Sequence, residues 1–265
     1  MKSSQNYFIT FVKDLTLTSK FVDLFIKVYV FLLGLGVFEY SIGYDYFNYL
    51  STTQANHSYI QALRILIYLT CFLFVLGIAP IFNLIILTTA FCIYEYFWGA
   101  DLMVYTTNVA APVLVGTLAY IILKKRVPHL GFVFCNYVLS ILGFAYLTSA
   151  FSKIFSHNSG WLTGEALRAY FYESSIFQEH PLKTHLLNSP FLPQAFSYLI
   201  ILWEICFVLS LFSNKKIKIF FLVSGLFFHL AIYYFLGPNF FYFFVPCYLA
   251  FIPFLFQQRQ LNENF

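Results

Sequence analysis

The chain of 265 residues is 60% hydrophobic and 23% aromatic but only 10% charged, with a mean hydropathy of +0.76. Soluble domains carry about a quarter charged residues, so a soluble enzyme or binding module is excluded and several membrane spans are expected. The net charge of +4 does not indicate nucleic acid as a partner. The basic residues fall in short clusters between apolar runs, which is how membrane topology is encoded.

Taken in order, Met1 to Lys20 is polar and lacks a small-residue cleavage site, so no removable signal peptide is expected. Apolar runs are then found at Phe21–Tyr40, Tyr59–Ala79, Ile81–Trp98 (after a break at Pro80), Thr107–Leu123, Leu130–Ser152, Phe191–Phe212, Ile217–Leu236 and Phe240–Phe256. Each is near the roughly 20 residues that cross a hydrocarbon core, and unbroken apolar runs mean helices rather than barrel strands. The expected fold is therefore an all-α integral membrane protein. It is a polytopic bundle of about eight transmembrane helices, forming a single domain over residues 1–265.

Basic residues set the orientation. Lys13, Lys20 and Lys27 flank the first run, Lys124, Lys125 and Arg126 follow the fourth, Lys215, Lys216 and Lys218 separate the sixth from the seventh, and Arg259 follows the last. An even number of spans puts all of them, and both termini, on the cytoplasmic side of a bacterial inner membrane. The outer loops are then Ser41–Ser58, Gly99–Thr106, Lys153–Pro190 and Gly237–Asn239. In the long one, Trp161 to Glu173 is expected to form a helix lying on the membrane surface, and Pro181, Pro190 and Pro193 punctuate the chain beyond that helix. Cys71, Cys92, Cys135, Cys206 and Cys247 all lie in apolar runs without a CxxC pair, so they read as buried fillers and no metal site is expected.

Lys153 closes the fifth run and faces the chain's longest polar segment. It is either an anchor, with its stem in lipid and its ammonium in water, or a base at the mouth of an intramembrane pocket. Other polar residues bear on the choice. His57, Gln61 and Arg64, with Asn56 beside them, line one face of the second run. Glu95, Trp98 and Asp101 lie at the outer end of the third, Glu204 near the middle of the sixth, and His229 beyond the midpoint of the seventh. Antiparallel spans bring these to the outer half of the membrane, where ionisable groups face the bundle interior. Internal ion pairs, Lys153 with Glu95 or Glu204 with His229, are the purely structural alternative to a site.

Ala55-Asn56-His57-Ser58-Tyr59 resembles the Asn-His-Ser-Tyr stretch of the vitamin K-dependent γ-glutamyl carboxylases, members of the horizontally transferred transmembrane (HTTM) family. Tyr146 to Ile154 followed by Trp161-Leu-Thr-Gly164 is similar to their small-residue segment, Lys-Leu, then Trp-x-x-Gly. Trp98-Gly-Ala-Asp101 resembles a Trp-x-x-Asp there, and Phe228-His229 with Phe240 to Pro253 looks like their Phe-His helix and its successor. The resemblance implies that Lys153 deprotonates a reduced lipid naphthoquinone (menaquinol or vitamin K-like). Its reaction with oxygen yields an alkoxide, which takes the γ-proton of a substrate glutamate, and the carbanion captures carbon dioxide.

The resemblance further implies catalytic positions for Lys153, His57 and Asn56, and cofactor-binding positions for His229, Arg64, Trp161 and Trp98. Glu95, Glu204 and Asp101 are further intramembrane polar groups. Two departures stand out. Ser152-Lys153 replaces a pair of lysines, and the chain up to Phe265 carries no counterpart of the carboxylases' large soluble domain. The expected function is a carboxylase-like, quinol-dependent membrane enzyme acting in an outward-facing pocket on a secreted peptide or protein. The alternative is a non-catalytic accessory protein for maturation of a secreted peptide or toxin. A transporter is disfavoured, because no paired Gly/Pro-broken spans suggest inverted repeats.

Overall fold

The computed structural model describes residues 19–37, 54–101, 109–127, 129–155, 160–177, 181–236 and 241–255. Every regular element among them is helical: α1 (19–37), α2 (Gln54–Val75), α3 (Pro80–Asp101), α4 (Ala110–Leu123), α5 (Leu130–Phe155), α6 (Glu165–Phe177), α7 (Pro181–Asn188), α8 (Leu192–Phe207), α9 (Leu209–Phe212), α10 (Lys215–Leu236) and α11 (Phe241–Tyr248). A 3-10 turn, Leu249–Phe251, comes after α11 and leads into helical residues 252–255.

The expected runs become helices with local adjustments. α2 begins at Gln54, inside the expected loop Ser41–Ser58; the rest of that loop, residues 102–108 and 237–240, and the flanking Lys13 and Arg259 lie outside the described residues. The sixth run is interrupted at Val208 between α8 and α9. In the eighth, Pro246 sits inside α11 and the chain tightens into the 3-10 turn soon after. A proline removes one ladder donor and crowds the preceding turn. Two corrections fall in the long polar segment. Its helix starts at Glu165, not Trp161, because Trp161–Gly164 forms a turn closed by the Gly164 N–H on the Trp161 carbonyl (3.1 Å). Pro181 opens α7 instead of interrupting the chain, as its fixed φ suits a first helical position.

The α2–α3 corner shows how the sequence writes such a joint. Gly77 N–H bonds the Phe74 carbonyl (2.9 Å) and Ile78 N–H the Leu73 carbonyl (3.0 Å), the Schellman pattern that consumes the last carbonyls of a helix. Gly77 sits at φ +78, and Pro80 then opens α3.

α5 is the shared wall of the bundle. On one side it packs on α4 and α1: the Tyr120 and Phe134 rings lie 5.3 Å apart, those of Phe25 and Phe134 6.0 Å, and the Tyr137 hydroxyl donates to the Pro112 carbonyl (2.8 Å). On the other it runs antiparallel to α8, with Gly143 against Leu211 and Tyr146 against Trp203 and Phe207. α10 closes on α8 through Phe207–Phe221 and Trp203–Phe228, and α11 closes on α10 through His229–Phe244.

Basic residues gather at one end. Lys124 Nζ pairs with Asp23 (2.7 Å), and Lys218 donates to the Ser210 carbonyl (2.7 Å) while lying over the Phe254 ring, which itself touches Phe132 at the start of α5. Lys153 and Trp161 mark the opposite end.

The bundle is apolar outside as well as inside. Phe220, Val223, Phe227, Leu230 and Tyr234 form an exposed stripe along α10, and Val133, Tyr137, Phe144, Phe151 and Phe155 another along α5. Two segments, Leu130–Phe155 and Leu192–Phe212, are long and apolar enough to cross a membrane. Cys71, Cys135 and Cys247 are buried as expected; Cys92 is instead exposed on α3 and Cys206 half-buried.

Two glycines give a graded test. Gly164 has φ +81, and a Cβ there would stand 2.5 Å from the Gln194 backbone nitrogen; Gly77 has a similar φ with open space around it. A left-handed conformation costs a non-glycine residue roughly 1–2 kcal/mol. Gly77→Ala should show about that loss in thermal unfolding of the detergent-solubilised protein, and Gly164→Ala a clearly larger one.

Candidate functional site

Tyr146, Ser149 and Lys153 are spaced by three and four residues along α5 and so share one helix face. The antiparallel run of α8 brings Glu204 level with the last two. Lys153 Nζ lies 2.5 Å from Glu204 Oε1 and donates to Ser149 Oγ (2.6 Å), while the Ser149 hydroxyl donates to the same Oε1 (3.2 Å). The pair is largely withdrawn from solvent, with side chains 13% and 5% exposed. Glu204 Oε2 is buried and has no hydrogen-bond partner among the described residues. Ions removed from water are expensive unless paired, so ammonium and carboxylate hold each other in place.

A cap covers this pair. The Trp161 ring lies 5.0 Å from Lys153 Nζ, a cation–π contact. Three contacts fasten the turn that carries it to the entrance of α8. Gln194 Nε2 donates to the Leu162 carbonyl (3.0 Å), Arg168 Nη2 donates to the carbonyls of Ser189 (2.8 Å) and Pro190 (3.0 Å), and Gly164 packs on the Gln194 backbone.

One turn and more along α5 lies a second polar cluster. The Tyr146 hydroxyl is 2.5 Å from His229 Nε2 and 2.5 Å from the Tyr248 hydroxyl, and all three residues are buried. Aromatic rings enclose it: Phe244 stacks on His229 at 5.2 Å, Trp203 meets Tyr146 edge-on at 5.1 Å, and Trp203 stacks on Phe228 at 4.7 Å. Trp203 Nε1 donates to Ser224 Oγ (3.0 Å), which ties α8 to α10. Gly225 makes room, since a Cβ there would stand 2.6 Å from the Tyr248 hydroxyl.

The structure thus joins Lys153, Glu204 and Trp161 directly. His229 stands on the same face of α5 through Tyr146 rather than against Glu204. Of the ion pairs named as the structural alternative, Glu204 with His229 is not the one formed: Glu204 pairs with Lys153, because antiparallel packing sets it level with Ser149 and Lys153, and His229 one step lower. Arg64 is buried on α2, at 1% exposure. Asn56 and His57 lie in the first turns of α2, and Glu95, Trp98 and Asp101 in the last turns of α3; their side chains lie outside the described residues. The sequence pattern alone does not single out Ser149, Tyr146, Tyr248 or Trp203 as site residues. For the first two the available signal is their spacing before Lys153. Compared with models of known protein families, with curated proteins and with solved structures, the chain matches none.

Removing one member of a buried ion pair strands the other and costs about 3–5 kcal/mol, whereas replacing both with apolar residues can be neutral. Lys153→Met and Glu204→Leu should each lower the unfolding midpoint in detergent, and the double variant should recover most of the loss. Additive losses would mean the two groups are not coupled.

Proposed function

We propose that the chain is a carboxylase-like enzyme that handles a lipid quinol at the Lys153–Glu204 pair, embedded in a bacterial cytoplasmic membrane crossed by eight helices with both termini inside. The observation that carries this is an inward-turned lysine 2.5 Å from a glutamate whose other oxygen is buried and unpartnered among the described residues. A lysine that only anchors a helix end extends its ammonium into water; Lys153 is bonded inside the bundle. The eight-span topology is supported by the apolar exterior and by the gathering of Asp23, Lys124 and Lys218 at the end opposite Lys153. The HTTM resemblance supplies the reaction type.

The residues fit a quinol headgroup. Glu204 Oε2 is an acceptor awaiting a hydroxyl, Lys153 is the adjacent base, and the Trp161 ring lies over its ammonium. The proton between Nζ and Oε1 has two resting places. When it rests on the carboxylate, Lys153 is a neutral amine that takes a proton from a bound hydroxyl, and Ser149, bonded to both, holds their relative position. A bound menaquinol or vitamin K-like quinol supplies the acidic hydroxyl and the reducing electrons. The group carboxylated is a glutamate side chain of a secreted peptide or protein reaching the outer face.

Lys153→Arg preserves the charge but cannot furnish a neutral amine, because guanidinium stays protonated. Oxygen uptake by the purified protein with reduced 2-methyl-1,4-naphthoquinone should fall at least about 100-fold in Lys153→Arg, the scale of a lost general base, with partial rescue by added methylamine. Full activity in that variant, or none in the unaltered protein, would overturn the proposal and leave the pair a lock in an accessory protein. Topology has its own check. Reporters fused after Phe265 and inserted between Lys124 and Pro128 should both read cytoplasmic, and a periplasmic signal at either would overturn the eight-span arrangement.

A further inference from the structure

Tyr146, His229 and Tyr248 form a buried cluster that the chemistry proposed at Lys153 does not use. The Tyr146 hydroxyl lies 2.5 Å from His229 Nε2 and 2.5 Å from the Tyr248 hydroxyl. Two proton placements are open. If Nε2 donates to Tyr146 and Tyr146 to Tyr248, the Tyr248 O–H and the Nδ1 lone pair both lack partners among the described residues. If Tyr248 donates to Tyr146 and Tyr146 to Nε2, only an N–H on Nδ1 is left. Unsatisfied buried polar groups cost free energy, so the placement with fewer of them prevails.

A phenol that donates to an imidazole is set up to lose an electron. Removing one electron makes the phenolic O–H strongly acidic, so its proton has to leave in the same event. An apolar interior solvates neither a radical cation nor a free proton. The acceptor must therefore stand ready, and His229 Nε2 is already in hydrogen-bond contact. Phe244 stacks on the imidazole at 5.2 Å with 25° between the planes, and the face of an aromatic ring stabilises the imidazolium that results. Tyr248 keeps its hydrogen bond to the Tyr146 oxygen throughout.

The electron also needs a way out. Tyr146 is 3% exposed, and the Trp203 ring meets it edge-on at 5.1 Å. Trp203 is only partly buried, and its α8 neighbours Leu199 and Leu202 are exposed. Indole, like phenol, is a readily oxidised side chain, so Trp203 links the apolar surface of the bundle to Tyr146.

We propose that Tyr146 is a redox-active tyrosine that donates one electron, through Trp203, to a lipid peroxyl radical at the bundle surface, while its phenolic proton passes to His229 Nε2. The electron turns the peroxyl radical into a hydroperoxide anion, which takes a proton from water at the membrane surface. The phenolic O–H bond breaks and an N–H bond forms at Nε2, leaving a neutral phenoxyl radical beside an imidazolium. This step uses neither Lys153 nor a quinol, so it stands apart from the function proposed above.

The full chain in phosphatidylcholine vesicles tests it. A lipophilic azo initiator, azobis(dimethylvaleronitrile), releases peroxyl radicals in the bilayer, and frozen samples are read by electron paramagnetic resonance. A neutral phenoxyl signal should appear and persist, because Trp203, Phe207 and Phe244 enclose the Tyr146 ring and shield it from radical coupling. It should vanish in Tyr146→Phe and lose most of its intensity in His229→Phe and Trp203→Phe, where a ring still fills the space. In the unaltered protein labelled with 15N-histidine, electron–nuclear double resonance should find a histidine nitrogen coupled to the radical, a readout that needs no substitution. Absence of a persistent signal, its survival in Tyr146→Phe, or a radical uncoupled from histidine would overturn the redox tyrosine. Full intensity in His229→Phe would overturn His229 as the proton acceptor, and full intensity in Trp203→Phe the route through Trp203. The signal should survive Lys153→Arg, so its loss is distinguishable from loss of oxygen uptake in that variant.

Discussion

An ammonium and a carboxylate placed in an apolar bundle must find each other, and that requirement fixes how α5 lies against α8. Each residue along a helix turns the side chain by about 100°. A slip of one position in α8 would carry Glu204 off the face that meets Lys153 and Ser149. The register is held from both sides of the pair. Below it, Gly143 takes Leu211 and Tyr146 takes Trp203 and Phe207; above it, the Trp161 turn is bonded to Gln194 at the entrance of α8. The cap, the pair and the packing beneath them specify one arrangement of two antiparallel helices.

The aromatic richness of the chain has a specific use in this arrangement. Tyr146 is the point at which α5, α8, α10 and α11 converge: its ring touches Trp203, Phe207, His229 and Phe244, and its hydroxyl reaches His229 and Tyr248. Rings fill space between helices in volume that aliphatic side chains would need larger numbers to cover, while tyrosine, histidine and tryptophan bring polar atoms that have to be matched. Here Tyr146, Tyr248, His229 Nε2 and Trp203 find partners across helices distant in sequence. Gly225 keeps its Cα clear so that the Tyr248 ring can approach.

Much of this is legible in the sequence as local pattern. Lengths of apolar runs and their punctuation locate α2 to α5, α8 and α10 within a few residues. Gly77 with Pro80 marks a corner by a turn chemistry that requires a left-handed residue and then a helix start. Pairing between runs is not legible in this way. Glu204 and His229 look like partners because both are ionisable and near one depth; depth alone does not say which helix faces which. The neighbour of Lys153 depends on the rotation of α8 about its axis, which is set by Gly143, Tyr146 and Phe207 together. Ser149 does not stand out because a serine in an apolar helix ordinarily bonds its own backbone carbonyl a turn earlier, as Thr148 does on the Phe144 carbonyl. Trp161 is marked only by a resemblance, and its seat over the Lys153 ammonium comes from the Gly164 turn, which no periodicity announces.

The two polar clusters on α5 divide along a physical line. Seven residues separate Tyr146 from Lys153, a rise of roughly 10 Å along the helix, comparable to the long dimension of a fused bicyclic headgroup. The upper cluster holds an ammonium–carboxylate pair under a tryptophan ring. The lower one is built from two tyrosines and a histidine among stacked rings, with His229 Nδ1 unpartnered among the described residues. An amine beside a carboxylate can move a proton. On the function proposed above, the quinol meets the cluster that can move a proton, beside Lys153.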